Sequence, residues 1–357
     1  MPSFCASLRK LKVLRAPLFA GLFLMAAGIL PPHAAGDVLA NPQASGLSSH
    51  ATEPGVQEPQ SPEPQSPGPQ AQEPTAPPSK YDPAIFQKSI PSEQLAFLGH
   101  FAGMTANDAV RDKQFRKLMH SVLPDCTFHY GWDMSPSDAF EKVLTGSPLP
   151  VQIREGRYVT VSGRNGPYLR GRGFLWFDLQ EGIALAGFYF HPTNGEPTPT
   201  VTVFSRQIEV KEESLKLSQL PPAFADALSL WSVESGVAPV TTRYFIGGFN
   251  KKILLEHDED YCAPVNPATA PAADDCEQMN ADAADVDLNA AYYLEQTNHA
   301  TNATAWMLVG EDQVAWIQVR DNTCRIGPDR LGCRIRLTRE RTHVVLSQHS
   351  VPHLPHK

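Results

Sequence analysis

The chain has no excess of positive charge: 38 Asp and Glu stand against 30 Lys and Arg, a formal charge of −8. A nucleic-acid binder needs a basic face for phosphates, so that class is set aside. There is no H-E-x-x-H, no G-x-S-x-G and no Walker-type phosphate loop, which removes the commonest hydrolase and nucleotide-binding signatures. Gly171-Arg172-Gly173 lacks the third glycine of a dinucleotide fingerprint and reads as a bend among strand residues. None of the six cysteines forms a C-x-x-C, which argues against zinc. After Leu30 no apolar run is long enough to span a bilayer. Between Asp258 and Asp312 there is no Lys or Arg at all, against twelve Asp and Glu.

What is present begins with an export signal. Arg9, Lys10, Lys12 and Arg15 precede an apolar run of 15 residues, Ala16 to Leu30, which Pro31 and Pro32 end. That is short of the ~20 residues a membrane anchor needs. Val38-Leu39-Ala40, or Ala35, supplies the small residues of a cleavage site. Residues 1–40 are thus read as a removed leader, with no stable membrane insertion afterwards and a periplasmic or secreted destination. Cys5 precedes the run and is no lipid-attachment cysteine. Outside the cytosol cysteines pair. Five remain after cleavage, and Cys126, far from the other four, is the one expected to be left over.

Residues 41–79 are proline-rich, with nine prolines between Pro54 and Pro78; such a segment cannot bury a core and serves as an extended tether. Residues 80–257 read as an α+β domain: an antiparallel β-rich middle domain with flanking helices. Leu95, Phe97, Leu98, Phe101, Phe115, Leu118 and Met119 are spaced for one buried helical face between Ser92 and Ser121. Ser135 or Ser137 caps a further turn. Strands follow at 151–161, 174–177, 183–190 and 200–210, parted by Gly-containing turns, and suggest a curled or half-barrel sheet. A short helix at 221–230 and at least one strand within 241–255 complete it. Trp176, Phe177, Phe188, Tyr189 and Phe190 put aromatics on both faces of adjacent strands. One face is core; the other is a candidate groove for an anion or glycan, with Arg164, Arg170, Arg172 and Arg206 nearby.

Residues 258–348 return to helix, and 349–357 read as a flexible tail. Met279, Ala283, Val286, Ala290 and Tyr293 mark one face of a first helix. Trp306, Val309, Trp316 and Val319 mark a second, weakened by Gly310, and residues 335–346 form a third. The ordered elements Ala284-Asp285, Leu288-Asn289, Tyr292, Ala315-Trp316, Arg320-Asp321, Cys324, Cys333, Leu337-Thr338 and Arg341 resemble those of the LprI-type lysozyme inhibitor family of exported bacterial proteins. The resemblance covers about a quarter of the chain. It departs where Met307-Leu308-Val309-Gly310-Glu311-Asp312 stands in place of a Lys/Gln-rich run. It implies a small all-α module held by disulfides. The four cysteines allow three pairings. Cys262–Cys276 closes a Pro/Ala-rich loop and Cys324–Cys333 a short Gly-Pro loop, and these two pairs are the expected ones.

The function implied by the resemblance is stoichiometric capture of lysozyme or another basic cell-wall hydrolase, without a cofactor, a bound metal or catalysis. Animal-type lysozymes are strongly basic, so an acidic surface would speed and orient their capture. The candidate partner-binding residues are Asp282, Asp285, Asp287, Arg320, Asp321 and Arg341. The competing reading of Arg320, Asp321 and Arg341 is an internal ion-pair network, with Trp316 and Tyr292 in the core. The rival functions are an envelope scaffold or ligand-binding protein, and an enzyme with its site in the middle domain. For the enzyme, Cys126 and His129 are the nearest thing to a nucleophile and base, and a spacing of three guarantees no such geometry.

Overall fold

The computed structural model describes residues 3–4, 81–164, 171–192, 195–197, 199–263, 275–298 and 302–348. The expected tether and tail lie outside these residues, as does the leader apart from Ser3–Phe4 (β1), which runs parallel to Cys126–Thr127. Cys126 is not left over. It is buried and disulfide-bonded to a partner outside the described residues.

The helical pattern from Ser92 to Ser121 is realised as three short pieces, because two polar caps interrupt it. Thr105 and Asp108 cap each other's backbone at the start of α2 (Ala106–Arg111), which follows the single turn α1 (Ser92–Leu95) and its 3-10 continuation Ala96–Phe101. Asp112 is extended and accepts from the Phe115 N–H at 2.9 Å, ending α2 and starting α3 (Lys113–Val122). The apolar residues still share one side: Leu95, Leu98, Phe101, Phe115 and Met119 are buried. Cys126–Tyr130 (β2) and Trp132–Met134 (β3) form a hairpin, and Ser135 caps α4 (Pro136–Leu144).

The main sheet has eight strands: β4 (Gln152–Arg154), β5 (Tyr158–Arg164), β6 (Arg172–Asp178), β7 (Ile183–Phe190), β8 (Thr200–Phe204), β9 (Ser214–Lys216), β10 (Thr242–Ile246) and β11 (Lys252–Glu256). Their spatial order is β4-β5-β6-β7-β8-β10-β11-β9. The first five form an antiparallel meander. Glu155 and Gly156 turn its first corner at positive φ (55° and 62°), and Arg157 locks the next strand by donating to both oxygens of Asp178 at 2.8 and 2.6 Å. The remaining strands depart from the expected antiparallel pattern. β10 runs parallel to β8 and β9 parallel to β11. A parallel pair cannot be joined by a tight turn, and α5 (Pro222–Ser235) belongs to the crossover between β8 and β10. β4 and β9 stand at the two ends of this order, so the sheet is not closed.

Both faces of this sheet are covered, which corrects the expected groove. On one face Phe174 and Trp176 pack under Phe224 and Trp231 of α5, with Phe174 and Trp231 ring centroids 4.7 Å apart. On the other, Phe188 meets Phe128 and Phe140 at 5.7 and 5.2 Å. All eight residues of β7 are buried. Gly187 leaves the space that the Phe174 ring fills: a Cβ there would lie 2.3 Å from it. Of the four arginines, Arg164 and Arg172 stand opposite one another on β5 and β6, and Arg206 does not join them. Arg172 stacks on Tyr189 at 5.2 Å, Arg206 lies at the opposite end of these strands beside Val122, and Arg170 is outside the described residues.

The chain ends in three helices: α6 (Cys276–Asn298), α7 (Ala303–Cys324) and α8 (Arg330–Gln348). Gly310 does not interrupt α7. The helices pack on the sheet through a shared core in which Tyr244 of β10 and Leu254 of β11 meet Leu288, Ala291, Tyr292, Val345 and Leu346.

Candidate partner-binding module

Two disulfides fix the ends of the helices. Cys262–Cys276 ties the start of α6 to the chain leaving the sheet, and Cys324–Cys333 ties the end of α7 to the start of α8. These are the pairs expected from the loops. Closing loops of 14 and 9 residues removes unfolded-state entropy worth roughly 3 kcal/mol each.

Inside this frame, most of the residues singled out as partner-binding bind one another. Arg320 is only 5% exposed. It donates to Asp285 at 2.6 Å, to Thr338 at 3.0 Å and to the adjacent Asp321 at 2.9 Å, joining all three helices. Arg334 of α8 bonds the second oxygen of Asp285. Two turns away, Arg341 donates to the Tyr292 hydroxyl and to Asp312, and Tyr292 donates to Asp312 at 3.2 Å. Trp316 lies between the two arginines, 5.3 Å from the Arg320 guanidinium and 5.9 Å from that of Arg341. Burial raises the Tyr292 hydroxyl to about 12, against the lowering effect of Arg341.

Asp287 faces the sheet. It is buried and accepts from the backbone N–H of His257 at 2.8 Å and from His257 Nδ1 at 2.6 Å. A carboxylate only accepts, so Nδ1 carries the proton. His257 is fully buried, and its Nε2 has no hydrogen-bond partner among the described residues. Next to it Arg243 reaches Glu259 at 2.5 Å, and the Tyr261 hydroxyl donates to Glu259 at 3.3 Å. Burial alone would raise the Glu259 carboxyl. Arg243 and His257 outweigh it, and the group lies below its ordinary value. Of the three aspartates marked on α6, only Asp282 is exposed, and it accepts from Gln278 at 2.7 Å.

The sequence reading missed the His257–Asp287 pair, whose only signal is a histidine just past a strand. It missed Asp312, Arg334 and Thr338 as partners. It also placed Val319 on the inner face of α7, where it is 63% exposed.

Residues 262–344 match the family model of the lysozyme inhibitor LprI. The C-terminal module is similar to LprI-type domains. The match spans both disulfides and all three helices but for the C-terminal end of α8, and the Asp285–Arg320 and Tyr292–Arg341 contacts fall inside it. No curated protein and no solved structure matches the chain. The family is described as one of lysozyme inhibitors. No helix among the described residues is long and apolar enough to cross a membrane.

Proposed function

We propose that this protein is exported to the bacterial envelope and captures a basic cell-wall hydrolase of the lysozyme type, one protein per enzyme, without chemistry of its own. The observation that carries the reading is the LprI family match over a module rigidified by two disulfides and a buried ion-pair network. A rigid module loses little conformational freedom on binding, which favours tight capture. The two disulfides suit an oxidising compartment, and the basic leader with its apolar run supplies the route there. The dearth of cations from Asp258 to Asp312 gives part of the module a negative field, and that field attracts a basic protein.

The test is clearance of a suspension of lysozyme-sensitive cells by several lysozymes, with and without the purified protein. Protection that rises with dose and saturates near one protein per enzyme is expected. Unchanged lysis at micromolar protein with every lysozyme would sink the reading and leave the module as a generic interaction domain.

A further inference from the structure

Helix α7 has two apolar sides, and the fold uses one. Val309 and Trp316 pack toward α6 and α8, with Arg320 and Cys324 on the same side. The opposite side carries Met307, Leu308, Val314 and Val319, which are 64%, 57%, 58% and 63% exposed. With Ile326 just past the helix, they make up five of the nine large exposed hydrophobics among the described residues. Such side chains scattered singly need no explanation, but five gathered within 20 residues of sequence mark an interaction surface.

The spacing makes them one surface. Met307, Glu311, Val314 and Gln318 recur at i, i+4, i+7 and i+11, and Leu308, Ala315, Val319 and Ile326 form the adjoining row. This is the pattern by which a helix seats in the groove of a partner. The disulfide at Cys324 holds one end of the helix, and Asn302 caps the other by accepting from the Ala305 N–H at 3.1 Å.

The charges around the surface choose the occupant. Glu311 lies within the apolar rows and has no ion-pair partner among the described residues. Asp312 and Asp321 border it, 60% and 57% exposed, each tied to one arginine. There is no Lys or Arg from Asp258 to Val319. A second copy docking here about a two-fold axis would bring the same carboxylates together, which is unfavourable. A positively charged protein with an apolar cleft meets no such cost. The acidic helix α6 is the weaker candidate, since Asp285 and Asp287 are consumed by contacts within the chain.

Resting on the inhibitor reading above, we propose that the outward face of α7 is the docking surface, its apolar rows entering the cleft of a basic hydrolase and Glu311 pairing with a cation at the rim. The experiment compares the wild-type chain with Met307→Ser/Val314→Ser, Glu311→Gln and Asp282→Asn in the clearance assay and in salt-dependent binding kinetics on the same lysozyme. The double variant keeps the net charge and alters only exposed positions. It is expected to keep the melting temperature and both disulfides while its Kd rises about tenfold or more. Glu311→Gln is expected to slow association several-fold at low salt and little at high salt, and Asp282→Asn to change neither. Equal capture by wild type and the double variant would overturn the docking face and leave the inhibitor reading intact. So would a wild-type dimer in sedimentation that dissociates on the double substitution. No capture by the wild-type chain would overturn both.

Discussion

Removing the Asp287 carboxylate tests how the helical module is held to the sheet. In Asp287→Ala the backbone N–H and the Nδ1–H of His257 both lose their acceptor, and both are buried. Each unsatisfied buried donor costs about 1–3 kcal/mol, so the variant should lose about 3 kcal/mol, roughly a hundredfold in the folded-to-unfolded ratio. Asp287→Asn separates the two bonds. Its amide oxygen still accepts from the backbone N–H, while its NH₂ faces Nδ1 and drives the ring proton to Nε2. That nitrogen has no partner among the described residues, so the loss should be smaller, about 1–2 kcal/mol. Urea unfolding followed by tryptophan fluorescence, with the disulfides intact, measures both. Asp282→Asn on the exposed side of the same helix is the control, expected within about 0.5 kcal/mol of wild type. Hydrogen exchange should quicken at β11 and α6 in Asp287→Ala before it changes elsewhere. An Asp287→Ala protein within about 0.5 kcal/mol of wild type would refute the view that this carboxylate anchors the module.

Asp285→Ala leaves the buried Arg320 paired only with the exposed Asp321, and should cost about 3 kcal/mol in the same unfolding assay; the double variant Arg320→Met/Asp285→Leu should recover most of it. Glu259 has a lowered folded pKa, so it contributes stability above its unfolded value near 4.5, and that stability is lost as pH falls through the lower folded value. Glu259→Gln should therefore be less stable than wild type at pH 7, with the gap narrowing toward pH 3; a gap that stays constant with pH would count against the assignment. Gly310→Ala should stabilise the protein by up to about 1 kcal/mol, because α7 is helical there and an added Cβ meets only Gln296 Nε2, at 3.8 Å; a lower melting temperature would show that the helix needs the gap.

The meander, its turns and the disulfide pairs were legible because each rests on local chemistry. Alternation and Gly-containing turns define 151–161, and short loops bring Cys324 to Cys333. The parallel strands were not legible, since nothing local distinguishes β10 from another meander strand; the crossover through α5 decides it. The open groove failed for the same kind of reason. Aromatics on both faces of β6 and β7 are also what a sheet between two helical layers requires, and α4 and α5 supply those layers. On α7 periodicity had too little contrast to work with. Met307, Leu308, Val309, Val314, Trp316 and Val319 surround the helix, so only the contacts of Trp316 and Arg320 show which side faces inward.

The charge pattern was legible as a count and misleading as a surface. Twelve carboxylates without a cation between Asp258 and Asp312 suggest an acidic face. In the folded module Glu259, Asp285, Asp287 and Asp312 are each tied to Arg243, Arg320, His257 or Arg341. A carboxylate so engaged still adds to the distant field, which sums every charge, but it cannot form a new contact without breaking an old one. Steering and docking therefore fall to different residues. The summed field should set how salt slows association, with a range near the ~8–10 Å screening length at physiological ionic strength. The apolar side chains at the centre of the docking surface set how long the complex lasts, because contacts at the centre of an interface act mainly on dissociation. Glu311→Gln should then change the rate of capture and its salt slope, and the apolar substitutions Met307→Ser/Val314→Ser should change the lifetime.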